Sequence, residues 1–200
     1  MSNTGHDPRD YADGVPPHAA PLVGFRSRKA AQLAAYFANL SGGQIDKLKL
    51  IKLIYMTERG FLHEHHSPLL LDELYSLPHG PVCSSTLNGI DGVIHESVWG
   101  DYIGRHGRDH IFARKFERAQ FDELSDAAVA IANEVWSQFR DMSAWEIRNW
   151  THENCDEYTE TTGRIPISYR EVLGALNDPA ADSIDQEISE LRRAENALRP

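Results

Sequence analysis

The sequence predicts a mainly α (α+β) fold: a compact helical domain around one central apolar helix, with a small β-hairpin. Three observations predict it. The stretch Ile45 to His66, IDKLKLIKLIYMTERGFLHEHH, is apolar or aromatic over well more than half a helical circumference. Amphipathic segments at helical spacing lie on both sides of it in the chain. A polar loop with glycines at both sides, between Val98 and Lys115, marks a chain reversal.

The central segment has Ile51, Ile54, Tyr55 and Leu62 on one wide stripe, with further apolar residues around them. Strand is the competing reading, because Lys47, Leu48, Lys49 and Leu50 alternate. The alternation fails at Leu50-Ile51 and again at Leu53-Ile54, and the pattern is too long for one strand. A helix apolar on so many sides is a central helix with neighbours packed around it.

Composition bounds the function classes. The 200 residues can bury a core as one domain, or one domain with tails. Thirty acidic against 20 basic residues give a net charge of -10. That balance argues against non-specific nucleic-acid binding, which draws on phosphate neutralisation by Lys and Arg. It suits solubility or a basic protein partner. Cys83 and Cys155 stand far apart without ligand spacing and read as reduced thiols of a cytoplasmic protein. No secretory signal pattern is visible, and no apolar run approaches the ~20 residues that span a membrane.

Residues 1–24 are rich in Gly, Pro, His and Asp and read as a disordered leader. The main domain is read as residues 25–179. Its first helix, Arg26 to Leu40, carries Ala30, Leu33, Ala34, Phe37 and Ala38 on one face and ends at Ser41-Gly42-Gly43. The central helix begins near Asp46 and runs to about His65. Gly60 inside it costs ~1 kcal/mol relative to Ala, which a close helix contact or a slight kink would explain. After Ser67-Pro68, Leu74 to Leu77 reads as a brief strand or extended chain, Pro78-His79-Gly80-Pro81 as a turn, and Ser84 to Ile90 as a short helix.

Val98 to Lys115 reads as the hairpin, with Trp99, Tyr102 and Ile103 before the loop and His110 to Ala113 after it. Arg105, Arg108, Arg114, Lys115 and Arg118 make this the one basic segment of the chain. Ser125 to Arg140 is a regular amphipathic helix with Ser125 as N-cap. Ser143-Ala144-Trp145-Glu146 is a capping box, opening a helix that ends around Asn154. Ile165 to Ile167 is extended, and Ser168 caps a short helix from Tyr169 to Leu176. Residues 180–200 read as a C-terminal amphipathic helix or tail, with only Ile184, Ile188 and Leu191 for a stripe; such a helix is stable only when docked.

Taken in order, the N-terminal helix, the segment KLIKLIYMTERGFLHEHHSPLL and the run ending His79-Gly80-Pro81-Val82 resemble the Panacea, or SocA-like antitoxin, domain family. That family has a "KL.KLLY" helix before a "GPV" turn. Met142 to Tyr158 and Gly163 to Leu176 are similar to its later elements, so the resemblance spans roughly Arg26 to Leu176. Between Gly92 and Glu123 little of it is present. The resemblance implies an antitoxin of a bacterial or phage toxin–antitoxin pair, a protein-binding module without turnover whose partner is a cognate protein toxin. No cofactor is expected, charge and hydropathy speak for neither direct nucleic-acid contact nor a membrane, and the oligomeric state stays open.

Contact candidates follow from residue chemistry. The hairpin offers Trp99, Arg105 and Arg108. Trp136 reads as core, whereas Trp145 and Trp150 are candidates because Trp is enriched at interface hot spots. The tract His63-Glu64-His65-His66 lacks the i, i+4 His pair of zinc hydrolases. His63, His66, His152 and Glu153 are weak metal candidates. They would serve a metal-dependent hydrolase only if the fold brought them together. Cys83 beside His79 carries no recognisable nucleophile signature, and no phosphate-binding glycine loop occurs. The remaining alternative is an adaptor that delivers a bound partner to a protease through the segment after Pro179.

Overall fold

The computed structural model describes residues 24–93 and 97–198. The expected leader therefore lies, Gly24 apart, outside the described residues. Among the described residues there are eight α-helices and two three-stranded antiparallel sheets. The fold is mainly helical α+β, as the sequence predicts, with more helices than the five or so expected.

Helix α1 (Ser27–Leu40) leads through β1 (Gln44–Asp46) into α2 (Lys47–His65). Asp46 caps α2, its Oδ1 accepting from the Lys49 N–H at 3.1 Å. His66 ends it in the left-handed conformation, φ 51°. Every residue from Leu50 to Glu58 is buried. Helix α5 (Asp126–Phe139), helix α6 (Ala144–Asn154), α1 and helix α7 (Tyr169–Ala175) surround α2. A Cβ on Gly60 would stand 3.2 Å from Ile131 Cγ2, so the glycine marks a close approach of α2 and α5.

The second sheet has β2 (Leu74–Leu77) at its centre, between β3 (Gly80–Cys83) and β6 (Ile165–Ile167). Its β2–β3 hairpin turns through the Pro78-His79-Gly80 signal. Helix α3 (Ser84–Ile90) follows at once, with Asp72 accepting from the N–H groups of Ser85 and Thr86 at its start.

One element corrects the sequence reading. The chain from Val98 is not the first arm of a long hairpin. It forms helix α4 (Ser97–Tyr102), which packs on α1. Trp99, Tyr102 and Ile103 are all buried. Their i, i+3, i+4 spacing is a helical period, and Tyr102 Oη accepts from Gln32 Nε2 at 2.9 Å. The hairpin is shorter: β4 (Gly104–His106) and β5 (His110–Phe112), with β5 paired to β1 on its other side.

The C-terminal helix α8 (Ala181–Ala197) docks on α7, burying Ile184 and Ile188. Arg192 Nη2 donates to the Asp72 carbonyl at 2.7 Å. These contacts supply the second face that the amphipathic stripe requires.

Two glycines give opposite expectations under the same test. A Cβ on Gly89 would lie 2.0 Å from Trp99 Cε2, inside a buried ring fixed between α3 and α4. Gly89→Ala is expected to lower unfolding free energy by about 1–3 kcal/mol in urea titration. A Cβ on Gly104 would lie 2.2 Å from Phe112 Cζ, but that ring is 47% exposed and can swing outward. Gly104→Ala is expected to change stability by less than about 0.5 kcal/mol. Equal losses would show that Trp99 is not the rigid wall the packing makes it.

Candidate partner-binding site

Arg108 is exposed in the β4–β5 turn, where Gly107 supplies φ +69°. Arg105 is exposed on β4 but tethered, its Nη1 donating to the Asp91 carbonyl at 2.5 Å. Trp99 does not share the hairpin surface. It is a core residue, 5% exposed, whose ring lies against Gly89 of α3.

A second surface surrounds the N-terminal half of α6. Trp145 is 44% exposed and sits edge-on to the His79 ring at 5.5 Å. Arg148, one turn along, donates from Nη2 to the Pro78 carbonyl at 3.1 Å. Trp150 is half-buried against Phe139, ring centroids 4.8 Å apart. Of the two tryptophans, Trp145 has the open face.

Beneath this surface lies the turn that joins β2 to β3. Gly80 holds φ +94°, and a Cβ there would meet Lys52 Nζ at 2.9 Å and His152 Nε2 at 3.1 Å. Lys52 is fully buried and donates to the Pro81 carbonyl at 2.8 Å. Burial brings its ammonium down to about 7. His152 packs on Tyr158 with ring centroids 4.2 Å apart. Burial first, then the positive charges of Arg148 and Lys52, hold His152 down to about 4, so the ring is neutral near pH 7.

The four weak metal candidates are divided between two places. His66 Nε2 and His63 Nδ1 stand 3.1 Å and 3.5 Å from Asp178 Oδ2. His152 instead faces Tyr158 and Gly80, and Glu153 is exposed. Among the described residues no group of three or more His, Cys, Asp or Glu is placed to hold a metal ion. Cys83 is buried, and that burial raises its thiol well above the usual range, opposite to what a nucleophile needs.

Sequence reasoning missed the polar groups inside the core. Glu58, 1% exposed, accepts from the Leu70 N–H and from Tyr169 Oη, each at 2.8 Å. Glu157 takes the Tyr55 hydroxyl at 2.8 Å and Arg59 Nε at 2.7 Å. The available signal was charge on apolar faces of α2: Lys52 follows Leu48 by four residues, and Glu58 follows Ile54 by four.

These features describe a helical scaffold with two exposed surfaces, a basic hairpin and a tryptophan-bearing helix start. The sequence model of the antitoxin SocA-like, Panacea domain family matches residues 50–157, just over half of the 200-residue chain. The chain belongs to that family. The matched span runs from α2 to the end of the α6 region, narrower than the Arg26 to Leu176 resemblance. No curated protein and no solved structure matches the chain.

Proposed function

We propose that this chain is the antitoxin of a toxin–antitoxin pair and neutralises a cognate protein toxin by direct binding, without turnover. The observation that carries the reading is the family match over residues 50–157. The binding unit is read as residues 25–179, with the C-terminal helix of 180–200 appended. Arg108 and Arg105 on the hairpin and Trp145 and Trp150 on α6 are the proposed contacts; Trp99 is buried and is not among them. The net charge of -10 supports a protein partner over nucleic acid. Among the described residues no helix is long and apolar enough to cross a membrane.

Affinity purification from the native host, with a tag at Met1, tests the reading. The expected result is one stoichiometric partner that arrests growth when expressed alone and is harmless with this chain. Recovery of the chain without such a partner would overturn it. Once the partner is in hand, Arg105→Glu with Arg108→Glu is expected to weaken binding roughly tenfold, mainly through slower association. Arg108→Glu alone is expected to shift stability by less than about 0.5 kcal/mol. An unchanged dissociation constant would remove the hairpin from the interface.

A further inference from the structure

We propose that an apolar groove beside the hairpin docks an acidic segment of a partner protein, which inserts one aromatic or branched aliphatic side chain. This deepens the direct-binding reading above and rests on it. The groove lies between the C-terminal end of α1, Gly42-Gly43 and the chain after β5, with a volume of about 620 Å3. That volume lies within the range of small-ligand pockets and exceeds what one aromatic side chain fills. Its walls are Tyr36, Leu40, Phe116 and Phe121.

The walls are preformed. Tyr36 meets Phe121 edge-on at 5.4 Å, and Phe121 meets Phe116 at 5.5 Å. Asn39 pins the far side: its Nδ2 donates to the Arg114 carbonyl at 2.9 Å, and its Oδ1 accepts from the Phe116 N–H at 2.8 Å. At the mouth, a Cβ on Gly42 would meet nothing within 4 Å, so the backbone there opens onto free space. A side chain entering such a site orders little of the protein, which favours binding.

Charge selects the occupant. The sequence from Arg105 to Arg118 holds five basic residues and two acidic ones, Asp109 and Glu117, in a chain whose net charge is -10. Lys115 and Arg118 line the groove itself, and Arg114 lies over the Phe116 ring at 4.9 Å. Arg118 is partly committed, donating to the carbonyls of Phe121 and Leu124 and pairing with Asp126. Lys115 is exposed. The overall acidity suits a basic partner, but the charged residues that line the groove, Lys115 and Arg118, are both cationic and disfavour one there. An apolar anchor flanked by Asp or Glu satisfies both the aromatic walls and the cationic rim.

The test is selection of a randomised phage-displayed peptide library on the immobilised full chain. Enriched peptides are expected to be net negative around one aromatic or aliphatic residue. Their affinity is expected to fall about tenfold with Lys115→Glu and with Leu40→Arg, and to hold for Arg193→Glu on α8. Lys115 is exposed, so its variant stays informative if Leu40→Arg unfolds. Neutral or basic winners, no winners, or indifference to Lys115→Glu would overturn the proposal. So would concentration-dependent self-association that Lys115→Glu abolishes, because a second copy would then fill the groove. A wild-type chain that neutralises its toxin while the peptides ignore the groove would leave the antitoxin reading standing. Acidic peptides held in the groove of a chain without a toxin would do the reverse.

Discussion

Glu157→Ala is expected to lower the unfolding free energy by about 3–5 kcal/mol, the usual cost of stranding one member of a buried ion pair. The Glu157 side chain has no exposed surface, and its Oε1 takes Arg59 Nε at 2.7 Å and the Tyr55 hydroxyl at 2.8 Å. Tyr55 and Arg59 are four residues apart on α2, so one carboxylate bridges a full turn of the central helix. Removal leaves the Arg59 side chain, only 12% exposed, without its counter-charge and a buried phenol without its acceptor. Glu157→Gln keeps an acceptor oxygen and is expected to lose clearly less. Tyr55→Phe removes one hydrogen bond to a charged group, about 1.5–3 kcal/mol. Urea unfolding of the three variants checks the order. A loss below about 1 kcal/mol for Glu157→Ala would mean that water reaches Arg59 and the pair is not sealed.

The elements legible in the sequence were those with local causes. The caps Ser125, Ser143 and Ser168 each accept the expected backbone N–H. Cap and apolar period both act within a few residues, so a window of sequence contains the whole reason. The sheets were less legible because their strands are three or four residues long and depend on distant partners. Ile165 to Ile167 reads only as extended chain until β2, some ninety residues earlier, supplies the ladder. At Trp99, Tyr102 and Ile103 a nearby turn signal outweighed a three-residue helical period, and packing on α1 decided the outcome. Among the contact candidates, Arg108 and Trp145 are exposed, whereas Trp99 is buried against α3, which lies outside its own local window. The groove joins Tyr36 to Phe121, and no local pattern links them. Lys52 and Glu58 were hidden for the complementary reason. A strongly apolar helix invites reading its charges as surface, and only the surrounding helices and the β2–β3 turn show both to be inside.

Those two residues give stability a pH dependence with a minimum near neutrality. Burial raises Glu58 to about 7, against the hydrogen bonds from Tyr169 and Leu70 that pull it down. The folded chain then keeps a proton that the unfolded chain releases from its ordinary value of 4.5 upward. Stability from Glu58 is full below 4.5, falls as pH rises to about 7, and is level above. Lys52 behaves oppositely. Its folded value is lowered to about 7 from 10.5, so the unfolded chain holds the extra proton in that window and stability rises with pH across it. Each limb has a limiting slope of about 1.4 kcal/mol per pH unit. Other groups tilt the raw profile. Half-buried His152, held to about 4, opposes Glu58 below its ordinary value of 6.5, and Cys155, raised to about 12, opposes Lys52 above 9. Differences between variants and wild type remove those contributions. The stability of wild type minus Lys52→Met is expected to rise by roughly 2 kcal/mol from pH 7 to 9. Wild type minus Glu58→Gln is expected to fall by roughly 3 kcal/mol from pH 4.5 to 7. The slopes carry the argument, because Lys52→Met also strands the Pro81 carbonyl and shifts the curve by a constant. Parallel curves for wild type and Lys52→Met would mean that the ammonium stays solvated, and that the Gly80 turn does not close over it as the 2.8 Å bond to Pro81 requires.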